Sequence, residues 1–304
     1  MFDLIVLDGG AGRELARMGA PFRQPEWSAL ALIEAPEFVV RMHERFVVAG
    51  ADVITTNSYA VVPFHLGAER FAARGQALAD LAGRLARQVA ANAGRPVKVA
   101  GSLPPVCGSY RADLFRADEA RPILETLVRG LAPHVDHWQA ETLSAIEEAQ
   151  LVREVIEATG GAPRPLWVSF TLEDEAVVPG QPRLRSGQSV EEAVIATIRL
   201  GAAAILFNCS QPEVMGEAVS VAHRVIEGSG AGLRIGVYAN AFPPQPKDAT
   251  ANAGLSEIRA DLTPQAYLAF ANAWRQTGAS ILGGCCGIGP EHIVALRQGL
   301  TGLV

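Results

Sequence analysis

The chain has 304 residues, 49% of them hydrophobic and 19% charged, enough apolar content to bury a sizeable core and exclude wholesale disorder. Its 26 Lys and Arg stand against 32 Asp and Glu, a formal charge of -6 with no polybasic tract, which argues against a nucleic-acid or anionic-membrane partner. The opening MFDLIVLDGG lacks a basic segment before its short apolar run, so no signal peptide is expected, and no apolar stretch approaches the roughly 20 residues that span a bilayer.

Short runs of Val, Ile, Leu and Ala alternate with amphipathic segments along the whole chain. Strands are expected at Leu4–Leu7, Asp52–Thr56, Val97–Gly101, Val135–Glu141, Leu166–Thr171, Ala203–Asn208, Arg234–Ala239 and Ser280–Gly283. Pro36-Glu37 opens a helix with Phe38, Met42 and Phe46 on one face, closed by Gly50. Ser144 with Glu147, and Ser189 with Glu192, have the spacing of capping boxes. Thr263-Pro264 starts a helix carrying Tyr267, Phe270 and Trp274 and ended by Gly278, and Pro290-Glu291 starts the last one.

Eight strands alternating with helices, without a composition break, predict an α/β fold: a single (β/α)8 TIM barrel forming one domain over 1–304. A doubly wound sheet is the alternative. Gly9, Gly10 and Gly12 lie in its first βα turn, but no acidic residue closes a clear second strand. The aperiodic stretches Phe242–Asp261 and Glu173–Ser189 read as long βα loops on the functional face.

In such a barrel the reactive residues sit at the C-terminal strand ends, and here three of the four cysteines fall at two of them. Cys209 follows the sixth strand and the vicinal Cys285-Cys286 the eighth. Strands two apart can bring their ends together on one side of the mouth, so three soft thiolates could hold a metal and leave a fourth position open. Adjacent cysteines make a strained disulfide, and four in a chain of this length fit a reducing, cytoplasmic setting. The plainer reading is small buried hydrophobes, which fits Cys107 as a spare thiol better than GGCCG at a strand end. The six histidines His43, His65, His134, His137, His223 and His292 avoid the C-terminal strand ends, which disfavours a His-carboxylate metallohydrolase.

The ordered motifs LDGGAGRELARMG, GADVITTNSY, ETLSAIEEA, Asn208-Cys209 and GASILGGCCGIGPEHI resemble the zinc-dependent homocysteine S-methyltransferases over nearly the whole chain. The resemblance implies that Cys209, Cys285 and Cys286 bind Zn²⁺, which takes up the homocysteine thiolate and holds it as the nucleophile for methyl transfer, giving methionine. It implies catalytic and substrate-binding roles for Glu141, toward the homocysteine ammonium, and for Asp8. The amides of Gly9 and Gly10 would receive its carboxylate, in place of making only a tight turn. Asn240 would sit near the metal or cap a turn, and Trp27 and Tyr59 would face a cationic donor or pack in the core.

Two loops depart from the common family pattern, GSLPPVCGSYRADLF after the third strand and YANA at the end of the seventh; both bear on the donor. S-methylmethionine or S-adenosylmethionine is the expected donor, with betaine after them; a corrinoid or folate route calls for further domains. The expected partners are therefore small molecules, with a homo-oligomer left open. Alternatives are a homologue acting on another thiol or a selenol, and a non-catalytic zinc or thiol redox sensor built on the same barrel.

Overall fold

The computed structural model describes residues 2–246, 249, 254 and 256–301, so Met1, residues 302–304 and part of the expected loop 242–261 lie outside the described residues. Eight parallel strands form one sheet: β1 (Ile5–Val6), β2 (Val53–Thr55), β3 (Lys98–Leu103), β4 (His137–Leu143), β5 (Leu166–Phe170), β6 (Ala204–Asn208), β7 (Arg234–Tyr238) and β8 (Ile281–Leu282). Each pairs with its neighbour in the chain, β1 pairs with β8, and a parallel bridge between Leu7 and Val53 joins β1 to β2. The sheet is thus a (β/α)8 barrel, and the doubly wound alternative falls.

The helices follow the expected signals. Pro36 starts α3 (Pro36–Ala49), which Gly50 closes in a left-handed conformation; α1 (Ala11–Arg17) and α2 (Ser28–Glu34) precede it. The outer ring continues with α4 (Pro63–Leu66), α5 (Ala68–Ala91), α6 (Ala117–Leu131), α7 (Ile146–Thr159), α8 (Val190–Arg199), α9 (Pro212–Ser229), α10 (Pro264–Thr277) and α11 (Pro290–Thr301). Ser189 and Glu192 form the reciprocal cap of α8, and Thr263 caps α10.

The cap before α7 corrects the expectation. Strand β4 runs on to Leu143, so the helix starts after Ala145, and it is Glu148, rather than Glu147, that accepts the backbone N–H groups of Ser144 and Ala145, both at 3.1 Å. Glu147 accepts instead from Gln188 Nε2 at 3.0 Å.

Side-chain alternation divides the core in two. Ile205 and Phe207 of β6 face the helices, whereas Leu206 joins Leu7, Val53, Ala100, Trp167, Ala204, Tyr238 and Ile281 in a separate cluster that fills the barrel axis. Above that apolar plug the axis turns polar: Gln139 Nε2 donates to Ser169 Oγ at 3.1 Å and to the Tyr238 hydroxyl at 2.8 Å. These groups form the floor of the mouth.

Candidate metal centre and substrate cavity

Strand β7 is the reason that cysteines from two strands meet. Its end lies between those of β6 and β8 and bonds to both. Cys209 N–H donates to the Tyr238 carbonyl at 3.3 Å, Cys285 N–H to the Ala239 carbonyl at 2.9 Å, and Ala241 N–H to the Cys286 carbonyl at 2.8 Å. From α10, Tyr267 clamps β7 to β8, its hydroxyl donating to Gly283 O at 2.7 Å and accepting from Ala239 N at 3.0 Å. The sulfurs of Cys209, Cys285 and Cys286 then lie within 4.8 Å of one another, and all four cysteines are free. Zinc with Zn–S bonds of ~2.3 Å spaces tetrahedral sulfurs about 3.8 Å apart, a spacing inside that limit, so this donor set fits the ion. Hydrogen bonds from Cys209 and Cys285 already hold the Cys286 thiol well below its ordinary pKa.

Glycines let the first and last loops interlock beneath the sulfurs. A Cβ on Gly10 would fall 2.5 Å from the Cys285 carbonyl oxygen, and one on Gly9 would fall 2.3 Å from that of Ile288. The Gly10 N–H donates to Ile288 O at 2.9 Å; it is therefore engaged within the protein, where it was expected to face a substrate carboxylate.

The two carboxylates occupy the same mouth. Asp8 accepts from Thr55 N at 2.7 Å and from Thr55 Oγ1 at 3.1 Å. Glu141 accepts from Ser102 Oγ on one oxygen and from the Tyr238 hydroxyl, at 3.4 Å, on the other. Burial pushes both carboxyls up to about 7. Glu141 was expected to close its strand; instead β4 continues to Leu143 through a register shift between Ala140 and Leu143, and Thr142 takes a φ of 60°. An irregularity of this kind re-aims side chains at a barrel rim.

A cavity of roughly 210 Å³ opens over these groups, lined by Asp8, Gly9, Gly10, Trp27, Tyr59, Glu141 and the three cysteines. Arg13 is the one Arg or Lys among its described lining residues, so with three sulfurs and two carboxylates it favours a cationic ligand. Trp27 and Tyr59 are half-buried at its wall, and the Tyr59 hydroxyl is 2.7 Å from Ser109 Oγ. Asn240 is buried outside that wall, its Oδ1 accepting from Phe242 N at 3.2 Å as a turn cap. Cys107 stands apart, its sulfur 4.0 Å from Arg116 O. Tyr110 and Tyr238 were not singled out from sequence; only their places near strand ends could have flagged them.

A (β/α)8 barrel with three convergent thiols and two buried carboxylates at its C-terminal mouth has its reactive groups on the face where enzymes of this fold carry their active sites. The homocysteine S-methyltransferase family model matches residues 5–300, and the chain belongs to that family and is a methyltransferase. It is 30% identical to a homocysteine S-methyltransferase of Escherichia coli K12, over 97% of this chain and 94% of that one. A selenocysteine Se-methyltransferase of Brassica oleracea var. italica is 28% identical, with 97% and 88% covered. The crystal structure of the metallated homocysteine methyltransferase MmuM from Escherichia coli superposes with a TM-score of 0.74 at 27% identity, covering 98% of this chain and 96% of that one. Among the described residues no helix is long and apolar enough to cross a membrane.

Proposed function

We propose that the protein transfers a methyl group from a cationic small-molecule donor to the sulfur of homocysteine, with Cys209, Cys285 and Cys286 holding a zinc ion. The observation that carries this reading is the meeting of three sulfurs, from two loops, at the wall of a cavity that also holds Asp8 and Glu141. Zinc at that site would keep a fourth sulfur ligand deprotonated at neutral pH, where a free thiol of pKa ~8.5 is mostly protonated.

The chain's own residues do the rest. Glu141, held by Ser102 and Tyr238, faces the homocysteine ammonium and fixes the amino acid with its sulfur toward the cysteines. An ammonium beside it returns the carboxyl to its charged form, since an opposite charge offsets the cost of burial. Asp8, fastened to Thr55, adds negative charge and shapes the first loop. The aromatic faces of Trp27 and Tyr59 suit a sulfonium or quaternary ammonium centre. The new S–CH₃ bond forms as the donor's bond to that methyl breaks in line; its electron pair stays on the donor heteroatom, and a sulfonium donor leaves as a neutral thioether. The free thiols suit a reducing, cytoplasmic compartment.

The deciding experiment offers S-methylmethionine, S-adenosylmethionine and betaine in parallel to zinc-loaded protein with homocysteine, and measures methionine. The expected result is turnover with a sulfonium donor and one zinc per chain. Turnover without metal would refute the zinc role. No methionine from any donor would refute homocysteine as the acceptor and return attention to another thiol, a selenol or a redox role.

A further inference from the structure

Four loops of the barrel mouth meet at one buried ion pair that the methyl transfer itself does not use. Asp174 and Arg185 both belong to the excursion between β5 and α8, their side chains are shut off from solvent, and Arg185 Nη2 donates to Asp174 Oδ1 at 2.7 Å. The Asp174 carboxylate also accepts the backbone N–H of Gln245 at 3.0 Å and that of Gln211 at 3.3 Å. Arg185 Nη1 donates to the carbonyls of Gln245 at 3.0 Å and Pro246 at 3.4 Å. The pair therefore ties together the loops after β5, β6 and β7. Gln211 lies two residues beyond Cys209, and Gln245 lines the substrate cavity.

The loop after β3 joins by stacking. The Arg185 guanidinium sits 4.8 Å over the ring of Tyr110, a residue held at a φ of 67°, which side chains other than glycine seldom adopt. Tyr110 lines the substrate cavity together with Cys209. Tyr110 and Arg185 also line an outer groove of roughly 790 Å³, and Tyr110 is shared between that groove and the cavity. A buried ion pair seldom stabilises a fold more than apolar residues of the same size, and here Arg185 Nε has no hydrogen-bond partner among the described residues. Its place in the fold calls for a reason other than stability, and the geometry supplies one.

We propose that Asp174 and Arg185 are a positioning pair, holding Tyr110 at the cavity wall beside Cys209 and so fixing the surroundings of that sulfur for metal binding. The proposal rests on the reading of the three cysteines as a metal site. Neither residue touches the reacting atoms; both act through Tyr110. Partners that orient a metal ligand in this way commonly govern metal affinity by 10- to 100-fold.

The test titrates the full chain with Co²⁺ in place of zinc, reading the sulfur-to-cobalt charge-transfer band and the affinity by chelator competition. Tyr110→Ala and Arg185→Met are each expected to weaken binding about tenfold and shift the band. Their combination should be no weaker than either alone, because both remove the same contact. Should Arg185→Met fail to fold, Asp174→Asn with Arg185→Met removes both charges and takes its place. Wild-type affinity and spectrum in any of these variants would overturn the proposal, as would losses multiplying to about a hundredfold in the combination. A wild-type protein that takes up no cobalt would fail the metal reading itself and this proposal with it, whereas normal binding with unchanged variants would fail the positioning pair alone.

Discussion

Asn208 holds Thr142 at two points: its Oδ1 accepts the Thr142 N–H at 3.0 Å, and its Nδ2 donates to Thr142 Oγ1 at 2.8 Å. Each is the chain neighbour of a candidate functional residue, Asn208 of Cys209 and Thr142 of Glu141. Both Cys209 (φ 53°) and Thr142 (φ 60°) carry the unusual left-handed backbone, which this one amide braces across the mouth. Asn208→Ala should therefore injure both halves of the site at once, raising KM for homocysteine and lowering metal affinity, each by about tenfold or more. Kinetics together with a zinc competition titration would show it; a change in one parameter alone would separate the two halves.

Replacing a ligand should remove metal and turnover without unfolding the barrel. Cys209→Ser and Cys285→Ser are each expected to bring zinc, measured by elemental analysis, from one per chain to a small fraction. The circular dichroism spectrum should stay as in the wild type. Cys107→Ser serves as the control and should keep full activity, since its sulfur faces Arg116 O away from the centre. Full activity in either ligand variant would refute the site.

Glu141→Gln keeps the shape of the side chain and a partner for Ser102 but removes the charge proposed to face the homocysteine ammonium. A loss of about 2–3 kcal/mol for an unpaired charge corresponds to roughly 30- to 150-fold. That loss should appear in KM for homocysteine far more than in kcat. An unchanged KM would count against the assignment.

Gly10→Ala tests the interlock of the loops. Its Cβ would meet backbone, the Cys285 carbonyl at 2.5 Å and the Cys286 Cα at 2.9 Å, so the cysteine loop must move. Thermal stability and zinc content should both fall, and the zinc loss should persist at temperatures where the fold is intact. An alanine variant with wild-type zinc affinity would show that the close approach is dispensable.

His43 gives a stability test remote from the chemistry. Buried within α3 and without a hydrogen-bond partner among the described residues, it is pushed down by burial to about 4. The unfolded chain binds a proton there near pH 6.5, so the stability linked to its neutral form is complete above that pH. It is lost as the pH falls toward 4, in an amount on the order of 3 kcal/mol. His43→Leu should remove this dependence, making the urea midpoint less sensitive to acid between pH 6.5 and 4 than that of the wild type. Equal slopes for the two proteins would refute it.

The barrel was readable because its strands are buried on both faces and so appear as continuous apolar runs, as at Ala203–Asn208, and because Pro36, Thr263 and Pro290 mark helix starts locally. The cysteine cluster was readable because GGCCG and Asn208-Cys209 stand at strand ends, and strand order then decides which ends are neighbours. What sequence did not disclose depends on the path of the backbone. The irregularity in β4 moves the cap from Glu147 to Glu148 and leaves Glu141 short of its strand's end. The stack of Arg185 on Tyr110 joins residues 75 positions apart by no periodic pattern. For Asn240 the resemblance implied a place near the metal and its position after a strand a turn cap; its bond to Phe242 N is what the fold displays.

The seating of Gly9 and Gly10 against Ile288 and Cys285 also bears on the order in which the molecule assembles. Contacts that close a ring between positions so distant in the chain carry the largest entropic cost of closure and tend to form late. Folding intermediates that already hold several strands and helices would still lack a competent ion-binding pocket, so loading with metal should coincide with the final locking of the ring.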